Sequence, residues 1–239
     1  METHGSCDIE SLERMKMLLR KIHNRYLLYK CGSAVYAPNI NLQNQALFIH
    51  VPKNAGTSVC RSLGMEQTNH NTLAWYQQNL KQGTYQKLFK FAFVRDPYSR
   101  FLSLYKYARM EESFYHSSTY PNKAIYGKHM DYDKLLDASP YECAVLLVEG
   151  KLEHDSYNNH WQPQTNWLVD QNGDSVDFLG RFEEIEKSYE TIRSRIGGTH
   201  LEKLNSSIGE SAKNVLDPKT KELLRSFYKE DFERFGYRA

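Results

Sequence analysis

Cysteine is sparse in this chain of 239 residues. Cys7, Cys31, Cys60 and Cys143 form no CxxC pair and match no zinc-type spacing. That excludes a disulfide-stapled secreted scaffold and points to a reduced, cytoplasmic protein. Long apolar runs are missing too. Arg14, Lys16, Arg20, Lys21 and Arg25 interrupt the segment 11–30, so it is neither a signal-peptide core nor a membrane span. Neither sign of charge is in excess: 31 Lys+Arg stand against 29 Asp+Glu, a net charge of +2. No footprint for wrapping nucleic acid follows from that balance. Internal repeats and low-complexity tracts are absent, which excludes solenoids. No set of His, Cys or Asp residues has metal-ligand spacing, so no metal is expected.

The composition that remains is that of a globular protein, with 40% hydrophobic and 25% charged residues. Leu12, Met15, Leu18, Leu19 and Ile22 recur at helical spacing. They predict an amphipathic helix within an N-terminal extension, residues 1–45, packed on one main domain, residues 46–239. A partner or membrane surface is the alternative for that stripe. Within the domain, 46-ALFIHV-51, 88-LFKFAFV-94 and 176-VDFLGRF-182 read as buried strands. Helices are expected from Thr57 to Leu63, after Pro97, over 140–149, from near Glu183, and over 217–235 as one amphipathic unit. Residues 111–132 read as a loop or lid. Strands alternating with helices imply an α/β fold with a parallel sheet.

Two strand-to-helix junctions carry the chemistry. In 50-HVPKNAGTS-58 the chain passes from a strand through a tight loop into a helix. Such a loop gathers backbone N–H groups, and the helix dipole adds positive potential. Gly56 allows close approach of an anion. Lys53 adds charge, and Thr57 and Ser58 add hydroxyls. The order is not that of a Walker A loop, because the lysine precedes the glycine. A plain turn with a surface lysine is the alternative reading. In 95-RDPYSRFLSLY-105, Arg95 ends a strand and Ser103 lies two helical turns on. The arginine offers a planar fork for a phosphate. The alternative is a local Arg95–Asp96 ion pair with Arg100 solvated. Two junctions of one parallel sheet can face one crevice and hold the two ends of a nucleotide.

The segments 48-FIHVPKNAGTS-58, 91-FAFVRDPYSRFLSLY-105, 159-NHWQPQ-164, 177-DFLGRFEEIEKSY-189, 204-LNSS-207 and 230-EDFERFGY-237 resemble the type-2 sulfotransferases that use 3′-phosphoadenosine 5′-phosphosulfate (PAPS). The match runs over about residues 46–237. Asn54 and Asp96 depart from the Thr and Asn of many relatives. The apolar anchor of luminal animal relatives is not seen, so the likeness is to the soluble bacterial kind. The resemblance implies a P-loop-like, three-layer fold with a central parallel sheet flanked by helices. It implies that Lys53, Asn54, Ala55, Gly56, Thr57 and Ser58 bind the 5′-phosphosulfate, and that Arg95 and Ser103 bind the 3′-phosphate. Arg181 and Phe182 would lie near the adenine, and adenosine 3′,5′-bisphosphate (PAP) would be the second product.

On this reading Lys53 stabilises the leaving phosphate and His70 is the first candidate for the base. A capping or solvated His70 is the alternative. His160, Trp161 and His116 are candidate contacts to a carbohydrate or small-molecule hydroxyl, less readily an amine. His50 is expected to brace the core or the loop. Two other function classes stay in view: a nucleotide kinase-like P-loop enzyme, and a non-catalytic binder of adenine nucleotides or sulfated glycans.

Overall fold

A computed structural model of the chain describes residues 15, 18, 19, 22, 26, 38–65, 69–111, 128–153, 159–201 and 215–239. Strand β1 (Ile40–Asn41) turns back antiparallel onto β2 (Ala46–Ile49). Helices α1 (Gly56–Ser62), α2 (Leu73–Asn79) and α3 (Gln82–Lys87) follow, then β3 (Phe89–Val94). Next come α4 (Pro97–Ala108), α5 (Tyr132–Leu135), α6 (Pro140–Val148) and α7 (Thr165–Leu168). Strand β4 (Phe178–Arg181) leads through a 3-10 turn, Phe182–Glu184, into α8 (Ile185–Ile196). Helices α9 (Pro218–Phe227) and α10 (Lys229–Phe235) close the chain.

The sheet order is β1-β2-β3-β4. β2, β3 and β4 run parallel, as the alternation of strands and helices requires. The antiparallel edge strand β1 makes the sheet mixed, a feature not expected from the apolar runs. Successive residues of a strand face opposite sides. Leu47, Ile49, Ala92 and Val94 therefore join one buried cluster, while Ala46, Phe48, Phe91 and Phe93 join the other. A sheet covered on both faces explains why these strands read as unbroken apolar runs.

Local signals set the helix starts. Asp96 accepts the N–H of Ser99 and precedes Pro97 at the head of α4. Ser139 and Glu142 form a reciprocal capping box on α6. Asp217 caps α9 ahead of Pro218. The single helix expected over 217–235 breaks at Tyr228. There the backbone turns to φ −98, ψ 24, and the buried hydroxyl donates to the Trp161 carbonyl at 2.7 Å. Near the N-terminus, Met15, Leu18, Leu19, Ile22 and Tyr26 are helical but each at least 52% exposed. At Met15, Leu18, Leu19 and Ile22 the expected packing of that stripe on the main domain is not found. None of the described helices is long and apolar enough to cross a membrane. Most of the expected 111–132 loop lies outside the described residues.

The topology places the two junctions. β2 and β3 are adjacent and parallel, with Ile49 beside Ala92. The segments that leave their carboxyl ends, residues 50–55 and 95–96, open at the same edge of the sheet. Ligands of α/β proteins bind at that edge.

Candidate functional site

The loop between β2 and α1 is shaped by two residues in the left-handed region, Lys53 at φ 69 and Ala55 at φ 61. Each costs on the order of 1 kcal/mol for a residue with a Cβ. Turns of this kind curl backbone N–H groups around a concavity suited to anions. No side chain caps the first turn of α1 at Ala55. Thr57 and Ser58 are half-buried within that turn.

Gly56 fits because nothing larger would. A Cβ on Gly56 would stand 1.8 Å from His50 Nε2 and 2.0 Å from its Cδ2. His50 is buried, stacks on Phe48 with ring centroids 5.4 Å apart, and supports the loop from beneath. Burial holds its pKa well below the usual imidazole value, with the His70 and Lys53 charges acting in the same direction. His50 is thus a neutral brace. Gly56→Ala should lower stability by about 1–3 kcal/mol, the usual scale for overpacking. Thermal denaturation measures that loss, and adding His50→Ala should recover part of it, because the two changes share one space.

Three cations converge above this floor. Arg95 Nη1 donates to the Lys53 carbonyl at 3.3 Å, joining the two junctions directly. The guanidinium of Arg95 also lies 4.1 Å from the centroid of Phe182. Its Nε is buried without a hydrogen-bond partner, a donor suited to an incoming anion. Lys53 Nζ rests 4.2 Å from the Tyr107 ring centroid. Burial, then the charges of Arg95 and Arg100, lower the Lys53 pKa to about 8. Burial also lowers the Arg95 and Arg100 pKa values, yet both stay cationic. Among the described residues, no carboxylate forms an ion pair with Lys53, Arg95 or Arg100. Glu183 and Asp96 favour the Arg95 charge, and Asp231 that of Arg100, from beyond ion-pair distance, so the positive charge of the site is offset only in part.

Arg100 is the largest departure from the sequence expectation. It is not solvated but 1% exposed. Its Nε donates to the Pro52 carbonyl at 3.1 Å, Nη1 to the Gln162 carbonyl at 3.0 Å, and Nη2 to the His160 carbonyl at 2.7 Å. A signal was present. Arg100 sits on the stripe Pro97, Phe101, Leu104 and Ala108, which α4 buries. An arginine on an apolar stripe must find buried acceptors. The alternative Arg95–Asp96 ion pair is not formed either, since Asp96 Oδ1 caps α4.

Three imidazoles line up beside the loop. The rings of His50 and His70 are 4.3 Å apart, and those of His70 and His160 are 4.4 Å apart. His70 Nδ1 lies 2.8 Å from the His50 carbonyl. A carbonyl only accepts, so Nδ1 carries the proton, and in the neutral ring Nε2 is the basic atom. His70 does not cap α2. Thr72 does, accepting the N–H of Trp75.

The other expected site residues are placed as follows. Asn54 is buried, with Nδ2 donating to the Phe93 carbonyl and to Gln164 Oε1, both at 2.8 Å. Ser103 is half-buried on α4. Arg181 donates Nη2 to the Phe235 carbonyl and stacks 4.6 Å from the Tyr237 ring centroid, bracing the C-terminal helix. Trp161 is corrected to a core residue. It is 1% exposed, packs 6.2 Å from Phe101 and donates its indole N–H to Asp131 Oδ2 at 2.9 Å. Its ring is used by the interior rather than offered to an acceptor. His116 lies outside the described residues. Gln164 and Asp231, polar and buried, were not singled out from sequence at all.

The sulfotransferase family model matches residues 36–238, a span that takes in both junctions and the three imidazoles. Neither a curated protein nor a solved structure matches the chain. The chain therefore belongs to the sulfotransferase family, in its type-2 branch, and carries a domain of the kind that transfers sulfuryl groups.

Proposed function

We propose that the chain moves the sulfuryl group of PAPS to a hydroxyl of a carbohydrate or small-molecule acceptor. The observation that carries this reading is the trio Lys53, Arg95 and Arg100, gathered at two strand ends with no carboxylate paired to any of them among the described residues. The left-handed turn at residues 53–55 suits the 5′-phosphosulfate. Arg95, with its buried and unpartnered Nε, suits the 3′-phosphate, and Ser103 would add a hydroxyl. Phe182, beside Arg95, offers a flat face to the adenine.

The step is an in-line displacement at sulfur. The acceptor oxygen forms a bond to sulfur as the bond from sulfur to the 5′-phosphate oxygen breaks. The acceptor proton passes to His70 Nε2, which the bond from Nδ1 to the His50 carbonyl orients. The electron pair leaves with PAP, and Lys53 neutralises the charge that grows on its 5′-phosphate. His160, in ring contact with His70, would help to hold the acceptor. The buried free thiols Cys60 and Cys143 are in keeping with a reducing, cytoplasmic setting.

The test is incubation with labelled PAPS and a panel of hydroxyl acceptors, with a chelator present, read by mass spectrometry. A sulfated product and equimolar PAP are expected. Tight binding of PAP with no product from any hydroxyl would instead favour a non-catalytic nucleotide binder.

A further inference from the structure

The geometry assigns Gln164 a positioning role, one that rests on the proposed donor: it holds the two anion-binding junctions in fixed register. A ligand charged at both ends is then gripped at both ends together. Gln164 is fully buried. Its Oε1 accepts from Asn54 Nδ2 at 2.8 Å and from the Arg95 backbone N–H at 3.0 Å. Its Nε2 donates to the Arg95 carbonyl at 2.8 Å and to Asp231 Oδ2 at 3.3 Å. Both lone pairs and both protons of the amide are therefore committed.

Each partner matters. Asn54 stands between the two left-handed residues of the 53–55 turn, and its second bond runs to the Phe93 carbonyl of β3. Arg95 is the first residue after β3. One side chain thus joins the loop leaving β2 to the backbone leaving β3, on both sides of the Arg95 peptide.

Gln164 is itself fixed from behind. Asp231 Oδ2 accepts the Gln164 backbone N–H at 2.8 Å, and Asp231 Oδ1 accepts from Thr165 N and Oγ1, both at 2.9 Å. Asn54 Oδ1 is buried without a partner, but the Gln164 amide is fully paired, and buried polar groups paired in this way hold one arrangement and resist sliding. Only an amide does this here. A carboxylate would lose both donors and face Asp231, and an apolar isostere would keep the shape without the bonds.

The consequence is a coupling between the ends of the ligand, measured with adenosine 3′,5′-bisphosphate, 5′-AMP and 3′-AMP by titration calorimetry on the full chain. In the unaltered protein, the gain from adding the 3′-phosphate to 5′-AMP should be large. In Gln164→Met that gain should shrink by about tenfold, the scale of coupling between neighbouring groups. The affinity for each monophosphate should change by no more than about threefold. Asn54→Ala, which cuts one arm of the same network, should shrink the gain in the same direction. It provides the readout if Gln164→Met does not fold, as judged by circular dichroism. Adding Gln164→Met to Asn54→Ala should then have little further effect.

A merely structural role would weaken all three ligands by one common factor, and that result overturns the assignment. An unchanged gain in both variants overturns it as well. Failure of the unaltered protein to bind the bisphosphate overturns the proposed donor, and the role of Gln164 with it. The two failures are therefore distinct.

Discussion

Lys53→Ala should lower turnover by about 10²–10³-fold, the scale for losing one preorganised charge at a leaving group. The reason lies in where Lys53 is held. It stands at a left-handed position of the turn after β2, over the Tyr107 ring and close to two arginines. Burial and those neighbours lower its pKa to about 8. The sign of the pH effect follows. Below about pH 8 the free protein carries a protonated Lys53 ready to meet an anion, and above it that charge is lost. Donor kcat/KM, which reports the free protein, should fall as pH rises through about 8. Donor binding above that pH should take up a proton, because the anion favours the charged lysine. Lys53→Arg should remove the alkaline limb, since a guanidinium stays charged throughout. An alkaline limb that persists unchanged in Lys53→Arg would assign the titration to another group.

His70→Ala should lower kcat by about 10²–10⁴-fold, the range for a general base. Donor binding should change little, because the proposed donor contacts belong to residues 53–58, Arg95 and Ser103, while His70 bonds to the His50 carbonyl and meets His160. Equilibrium binding of PAP beside steady-state turnover separates the two effects. A His70→Ala chain with normal turnover would move the base elsewhere, with His160, whose ring centroid lies 4.4 Å from that of His70, the next candidate. His70→Gln makes a sharper comparison. It keeps a donor toward the His50 carbonyl and loses only the basic nitrogen.

The sheet was legible because burial on both faces leaves unbroken apolar runs, and β2 and β3 fall within the runs at 46–51 and 88–94. Prolines at the first helical position marked α4 and α9 for similarly local reasons. What escaped was whatever depends on distant partners. β1 is two residues long and gains its identity only by pairing with β2. The break between α9 and α10 answers to Tyr228, whose hydroxyl reaches Trp161 across 67 positions of sequence. Within the site, Lys53 and Arg95 stood out because each is a cation at the end of an apolar strand. Arg100 sat on a helix stripe and could have been read as buried. Gln164 and Asp231 carry no such local mark, since their meaning lies in bonds between segments 67 residues apart. Trp161 misled for a simple reason. An aromatic ring in a polar stretch suggests an acceptor platform, but here Asp131 supplies a buried partner for its N–H, so the ring belongs to the core.

The decisive measurement is a crystal structure of the chain with adenosine 3′,5′-bisphosphate. The 5′-phosphate should lie within about 3 Å of donors in residues 53–58, and the 3′-phosphate should lie equally close to the Arg95 guanidinium. A nucleotide seated away from both junctions, or turned end for end, would contradict the account.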